Sequence, residues 1–132
     1  MFTTRVTRQI EAAHHNGPEW SKCHVTHGHS WRIVVSFEVP DAQVTANEWG
    51  WGIDFSVIKE VIDRYDHQDL NEFLHPPSAE NLARTLFNDL RERTGIKPEF
   101  VRVEEGAGNE VEYSNKTDFA AIEEGAGVPR TF

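Results

Sequence analysis

Two stretches of the first forty residues alternate. From Phe2 to His14 the even positions hold Phe2, Val6, Ile10, Ala12 and His14, with Thr4 and Arg8 as exceptions, against Thr3, Arg5, Thr7, Gln9 and Glu11 at odd ones. A period of two marks a strand with one buried face. From His27 to Val39 the odd positions carry His27, His29, Trp31, Ile33, Val35, Phe37 and Val39, which predicts a second, cleaner strand. Asn16-Gly17-Pro18 supplies turn chemistry between them, so the two are expected to pair as a long-looped antiparallel hairpin.

After "VPDAQVTANEWGWG" the period changes. Phe55, Ile58, Ile62 and Tyr65 share a helical face, with Asp54 or Ser56 to cap the start and an end near Asp66. Beyond the breaker "HPPS", Ala79, Leu82, Ala83, Leu86 and Leu90 predict a helix capped by Ser78 and stopped by Gly95. "EFVRVEE" and "EVEYS" read as two closing strands around "GAGN". The order ββααββ implies the α+β class, a four-stranded antiparallel sheet with two helices on one face. Residues 1–115 form one domain in this reading. Residues 116–132, rich in Gly, Ala and Glu without a period, form an arm or disordered tail.

Composition narrows the function classes. A chain of 132 residues supports one core, and a formal net charge of -9 opposes a general nucleic-acid surface. No window approaches the roughly 18 apolar residues of a membrane span, and "MFTTRVTRQIEAAHH" lacks the apolar stretch of a signal peptide, so a cytoplasmic protein with no membrane partner is expected. The single cysteine, Cys23, has no intrachain disulfide partner; packing, metal ligation or reactivity must account for it.

His27 and His29, two apart on a strand, project to one face, and a hairpin brings His14 near them while His15 faces away. Three imidazoles leave a fourth tetrahedral position open, the arrangement of catalytic zinc sites. The same spacing also fits histidines satisfied by backbone carbonyls. Cys23, four residues before His27, could be a fourth ligand, a small buried hydrophobe, or a thiolate activated by a neighbouring cation. Asp66-His67, at the expected end of the first helix, suits proton transfer near neutral pH or is a solvated terminus. Glu104 and Glu105 face opposite sides of the last long strand, and the inward one needs a cation or a ligand with two parallel N–H donors.

Taken together, "AAH" at 12–14, Cys23 followed by "HVTHGH", "GWGIDF" at 50–55, "DHQDLN" at 66–71, "PPSAENLA" at 76–83 and "VRVEE" at 101–105 resemble the 6-pyruvoyl-tetrahydropterin synthase family, from about Phe2 to Tyr113. That family includes the 6-carboxy-5,6,7,8-tetrahydropterin synthases of queuosine biosynthesis. The resemblance implies that His14, His27 and His29 bind one zinc per subunit. It implies that Cys23 accepts and donates protons, assisted by Asp66 and His67, and that Glu105 grips the 2-amino and ring N–H edge of a pterin. It also implies the tunnelling fold: trimers whose sheets join into a barrel, stacked in pairs as a homohexamer with active sites between subunits.

Three residues separate Cys23 from "HGH", which resembles the 6-carboxy branch. The implied reaction is that of a carbon-carbon lyase converting 7,8-dihydroneopterin triphosphate to 6-carboxytetrahydropterin, acetaldehyde and triphosphate. The 6-pyruvoyl branch, with a longer spacing, is a carbon-oxygen lyase eliminating triphosphate. "AAHHN", Ser78 and "EEGAGN" depart from the family pattern without removing a proposed catalytic group, and Lys22, Arg5 and Arg8 are candidates for the triphosphate. Two readings stand outside the family. One is a zinc hydrolase with Glu104 or Glu105 as base, the other a zinc-stabilised binding module with Cys23 as fourth ligand.

Overall fold

The computed structural model describes residues 1–116, so the expected C-terminal arm lies, apart from Lys116, outside the described residues. Two strands of 13 residues, β1 (Phe2–His14) and β2 (His27–Val39), pair antiparallel in one unbroken register from Phe2↔Val39 to His14↔His27. The residues that alternation selects turn inward: Val6, Ile10, Ala12 and His14 from β1, and Trp31, Ile33, Val35, Phe37 and Val39 from β2, are all buried. β2 also buries Val34 and Ser36, against the alternation. Glu99 closes over Ser36 there, its N–H donating to the Ser36 carbonyl (2.7 Å) and its carboxylate accepting from the hydroxyl (2.7 Å).

Among the described residues three α-helices form where two were expected. The extra one, α1 (Asp41–Ala46), buries no residue fully and rests only the partly buried Val44 against the core, and a single contact leaves no apolar period to read. In α2 (Phe55–Asp63) the Asp54 carboxylate caps the start by accepting the Ser56 N–H at 2.9 Å. α2 ends before Asp66, so Asp66-His67 sits in a turn rather than at a helix terminus. In α3 (Ala79–Thr94) Ser78 Oγ accepts the Asn81 N–H at 3.1 Å, and Gly95 ends the helix at a φ of 77°, where any side chain would be strained. Ile58, Val61 and Ile62 of α2 and Leu82, Ala83, Leu86, Phe87 and Leu90 of α3 bury against one face of the sheet. Each large side chain among them contributes roughly 1.5–3 kcal/mol by leaving water.

The sheet is completed by β3 (Gln68–Asp69), β4 (Phe100–Glu105) and β5 (Glu110–Tyr113), in the order β3-β1-β2-β4-β5. It therefore has five strands rather than the expected four and is mixed rather than wholly antiparallel, because β3 runs parallel to β1 at Ala12 and Ala13. A two-residue strand has no period, so the pattern of side chains could not announce it. Among the described residues no strand pairs with β1 on that side from Phe2 to Glu11. The opposite edge of the sheet is β5.

Candidate active site

The register of β1 and β2 sets His14 opposite His27 and Ala12 opposite His29, so the three histidines meet at one end of the hairpin. One ligand atom from each lies within 4.8 Å of the other two. Their rings stand edge to face, with centroids 4.7 Å apart for His14 and His27, 4.8 Å for His27 and His29, and 5.1 Å for His14 and His29.

Two carbonyls fix the tautomers. His14 Nδ1 lies 2.8 Å from the Pro77 carbonyl oxygen and His27 Nδ1 lies 2.7 Å from that of Val25. A carbonyl only accepts, so each Nδ1 donates, and in the neutral ring each Nε2 keeps a lone pair. His14 Nε2 and His29 Nε2 are buried without a hydrogen-bond partner. Leaving a buried acceptor unpaired costs about 1–3 kcal/mol, a cost that a shared cation removes. Burial also pushes the His29 imidazole below its ordinary pKa, against the opposing pull of Glu105, with His14 and His27 adding to the lowering. A neutral imidazole is the form that ligates metal, so the donor set fits zinc or a similar late divalent ion. The carbonyls of Pro77 and Val25 escaped the sequence reading because a backbone acceptor carries no residue-type signal; only the "HPPS" breaker marks the loop that supplies one of them.

Trp31 forms the inner wall. Its ring stands edge-on to His14 (centroids 5.1 Å apart) and His29 (5.3 Å), and its Nε1 donates to the Ala12 carbonyl at 3.1 Å. Zinc titrated into metal-stripped protein is therefore expected to change the tryptophan emission, saturating at one ion per chain. Trp31→Phe should abolish that change. An unchanged wild-type emission at saturating zinc would argue against an ion beside Trp31.

Cys23 and Glu105 share a cavity of about 430 Å³ with His14. Cys23 is exposed in a single helical turn, Lys22–His24, and its backbone is held from both sides. Its N–H donates to Ser21 Oγ (3.1 Å), and its carbonyl accepts the Asn16 N–H (2.8 Å). Glu105 turns inward with Val101 and Val103, while Glu104 takes the other face. Its carboxylate approaches His29 Nε2 to 3.6 Å and His14 Nε2 to 3.9 Å, so it lies against the imidazoles themselves.

Asp66 and His67 are not brought to this cavity. His67 lines a different one, with Glu11, Ala13, Gly28, His29 and Ser30; the two linings have no residue in common, but His29 borders the second as His14 borders the first. His67 adopts a left-handed φ of 60°, which histidine tolerates better than branched residues. Its Nδ1 is 3.0 Å from Asp66 Oδ2. The Glu11 N–H first, and then His67, hold the Asp66 carboxyl below its usual pKa, so it is ionised and fixes the ring. Of the cations considered for the triphosphate, Arg8 is committed to a two-bond pair with Asp63 (2.9 and 2.6 Å), and Lys22 stands next to Cys23.

Comparison with known proteins identifies the family and the fold. Residues 3–116 match the 6-pyruvoyl tetrahydropterin synthase family. A Synechocystis protein named 6-carboxy-5,6,7,8-tetrahydropterin synthase is 36% identical over 90 residues, 63% of this chain and 70% of its own length. An Archaeoglobus fulgidus protein provisionally given the same name is 33% identical over 98 residues, 71% of this chain and 80% of its own. The fold is that of the Caenorhabditis elegans 6-pyruvoyl tetrahydropterin synthase, with a TM-score of 0.67 at 22% identity over 86% of this chain and 94% of that one. The Plasmodium vivax enzyme gives 0.53 at 15% identity over 86% and 98%. The architecture is thus the tunnelling fold. Among the described residues no helix is long and apolar enough to cross a membrane. With the match spanning nearly all of the described residues, the chain belongs to the 6-pyruvoyl tetrahydropterin synthase family.

Proposed function

We propose that this protein is a zinc-dependent 6-carboxy-5,6,7,8-tetrahydropterin synthase that takes 7,8-dihydroneopterin triphosphate and water to 6-carboxytetrahydropterin, acetaldehyde and triphosphate. It is in this reading a carbon-carbon lyase serving 7-deazapurine formation, with one zinc per subunit. The observation that carries the reading is the trio of imidazoles, with two buried and unpartnered Nε2 atoms, beside Cys23 and Glu105. The 6-carboxy branch is favoured by the three-residue gap between Cys23 and His27 and by the names of the relatives at 33% and 36% identity.

His14, His27 and His29 would hold the zinc, which when bound supplies Lewis acidity that eases deprotonation of neighbouring C–H and O–H groups. Cys23 accepts a proton from the substrate side chain and returns it, from a backbone already immobilised by Ser21 and Asn16. Glu105 accepts two N–H bonds from the pterin edge and so orients the reacting side chain. Asp66 holds the His67 ring for a second proton transfer. Cys23 and His67 line separate cavities of one chain, on either side of the imidazole trio, which supports a hexamer in which a neighbouring copy completes each site.

Incubation with 7,8-dihydroneopterin triphosphate and mass-spectrometric analysis is expected to show 6-carboxytetrahydropterin and one acetaldehyde per turnover. A 6-pyruvoyl product without acetaldehyde would assign the sister activity instead.

A further inference from the structure

Two of the nitrogens that would face a metal ion also face a carboxylate. Glu105 Oε2 lies 3.6 Å from His29 Nε2, and Glu105 Oε1 lies 3.9 Å from His14 Nε2. Both separations exceed hydrogen-bond reach, and both nitrogens remain unpartnered. In the neutral ring whose proton the Pro77 carbonyl takes, His14 Nε2 and the carboxylate are both acceptors, and two acceptors repel unless a cation lies between them. The spacing suits that cation. Donors bonded at about 2.0–2.2 Å to one tetrahedral ion stand roughly 3.3–3.6 Å from each other.

The backbone keeps Glu105 where this can happen. It pairs with Trp31 across β2 and β4, and its N–H donates to the Asn109 carbonyl at 2.8 Å. The next residue, Gly106, has a φ of 64° and donates to the Ser30 carbonyl at 3.2 Å. The chain is thus tied on both sides of Glu105, and only the side chain, 32% exposed at the mouth of the cavity, has freedom to swing.

We propose that the Glu105 carboxylate closes the fourth position of the ion held by His14, His27 and His29, and opens it when the N–H edge of a pterin draws the carboxylate away. The inference rests on the reading that the three imidazoles bind zinc. One residue then serves as latch and as sensor of the correct ring. Before a pterin arrives the Glu105 carboxylate would keep water from the fourth position, so the site would not act as an indiscriminate hydrolase.

The test uses metal-stripped wild type, Glu105→Gln and Glu105→Ala. Zinc affinity is measured by competition with a chromophoric chelator, and the cobalt(II) derivatives are followed by visible absorption with and without saturating unsubstituted pterin. Zinc affinity is expected to fall by at least about tenfold in both variants, the lower end of what even an outer-shell ligand partner contributes. Pterin should shift the wild-type cobalt spectrum toward that of Glu105→Ala, which should itself not move. Affinities within twofold of wild type in both variants would overturn the latch, as would a wild-type cobalt spectrum that saturating pterin leaves unchanged. Failure of wild type to bind zinc would remove the metal reading itself, whereas a 6-pyruvoyl product would leave the latch standing.

Discussion

Cys23→Ala is expected to bind zinc and assemble as wild type does while losing about 10²–10⁴-fold in turnover, the contribution of a well-placed proton-transfer group. The reasons lie in how Cys23 is held. Its backbone bonds to Ser21 Oγ and to the Asn16 N–H survive removal of the thiol. The side chain is exposed, so no core contact is lost. The same variant separates the rival readings. A binding module with Cys23 as fourth ligand would release its metal, and a zinc hydrolase would keep its rate. Zinc content by mass spectrometry, hydrogen-deuterium exchange at the substrate side chain and turnover together distinguish the three, and retained turnover would sink the mechanism assigned to Cys23.

The second large effect falls on the metal. His14→Ala removes one of the three proposed ligands, leaves the Pro77 carbonyl without its donor and opens space beside Trp31. Zinc affinity should fall by more than the 10–100-fold typical of losing an outer-shell partner. The unpaired carbonyl should cost about 1–3 kcal/mol of stability besides. Chelation should lower the melting temperature of wild type, because zinc binds the folded chain preferentially. The variant, having little zinc to lose, should not respond to the chelator. A His14→Ala protein that still holds one zinc per chain would remove His14 from the ligand set.

Much of this was legible in the chain because burial is periodic where the core is deep. The bounds of β1 and β2 and both caps of α3 follow directly from alternation, helical spacing, Ser78 and Gly95. What escaped lacks a buried face. α1 has none, and β3 is two residues long. α2 stops short of its expected end because the chain from Arg64 to His67 turns to run beside β1, a tertiary demand that overrides the helical pattern carried on by Tyr65. At the site, two-residue spacing brought His27 and His29 to one face, but the approach of Glu105 to the imidazoles needed the β2–β4 register, Trp31 opposite Glu105. Pairing across strands distant in sequence is fixed by the packed sheet, and one sequence does not carry it openly.

The outer edge of β1 has a consequence for the life of the unassembled chain. From Phe2 to Ile10, short of Glu11, whose N–H and carbonyl are taken by Asp66 and His67, no strand is paired there among the described residues, so a row of backbone donors and acceptors lies ready for whatever extended segment comes first. Such an edge is a template for runaway aggregation. Pairing that closes into a ring, as in the proposed hexamer, consumes every edge and stops growth at a fixed size, whereas open pairing does not. Assembly then competes directly with precipitation, and the time a newly made subunit spends alone sets how much of it survives.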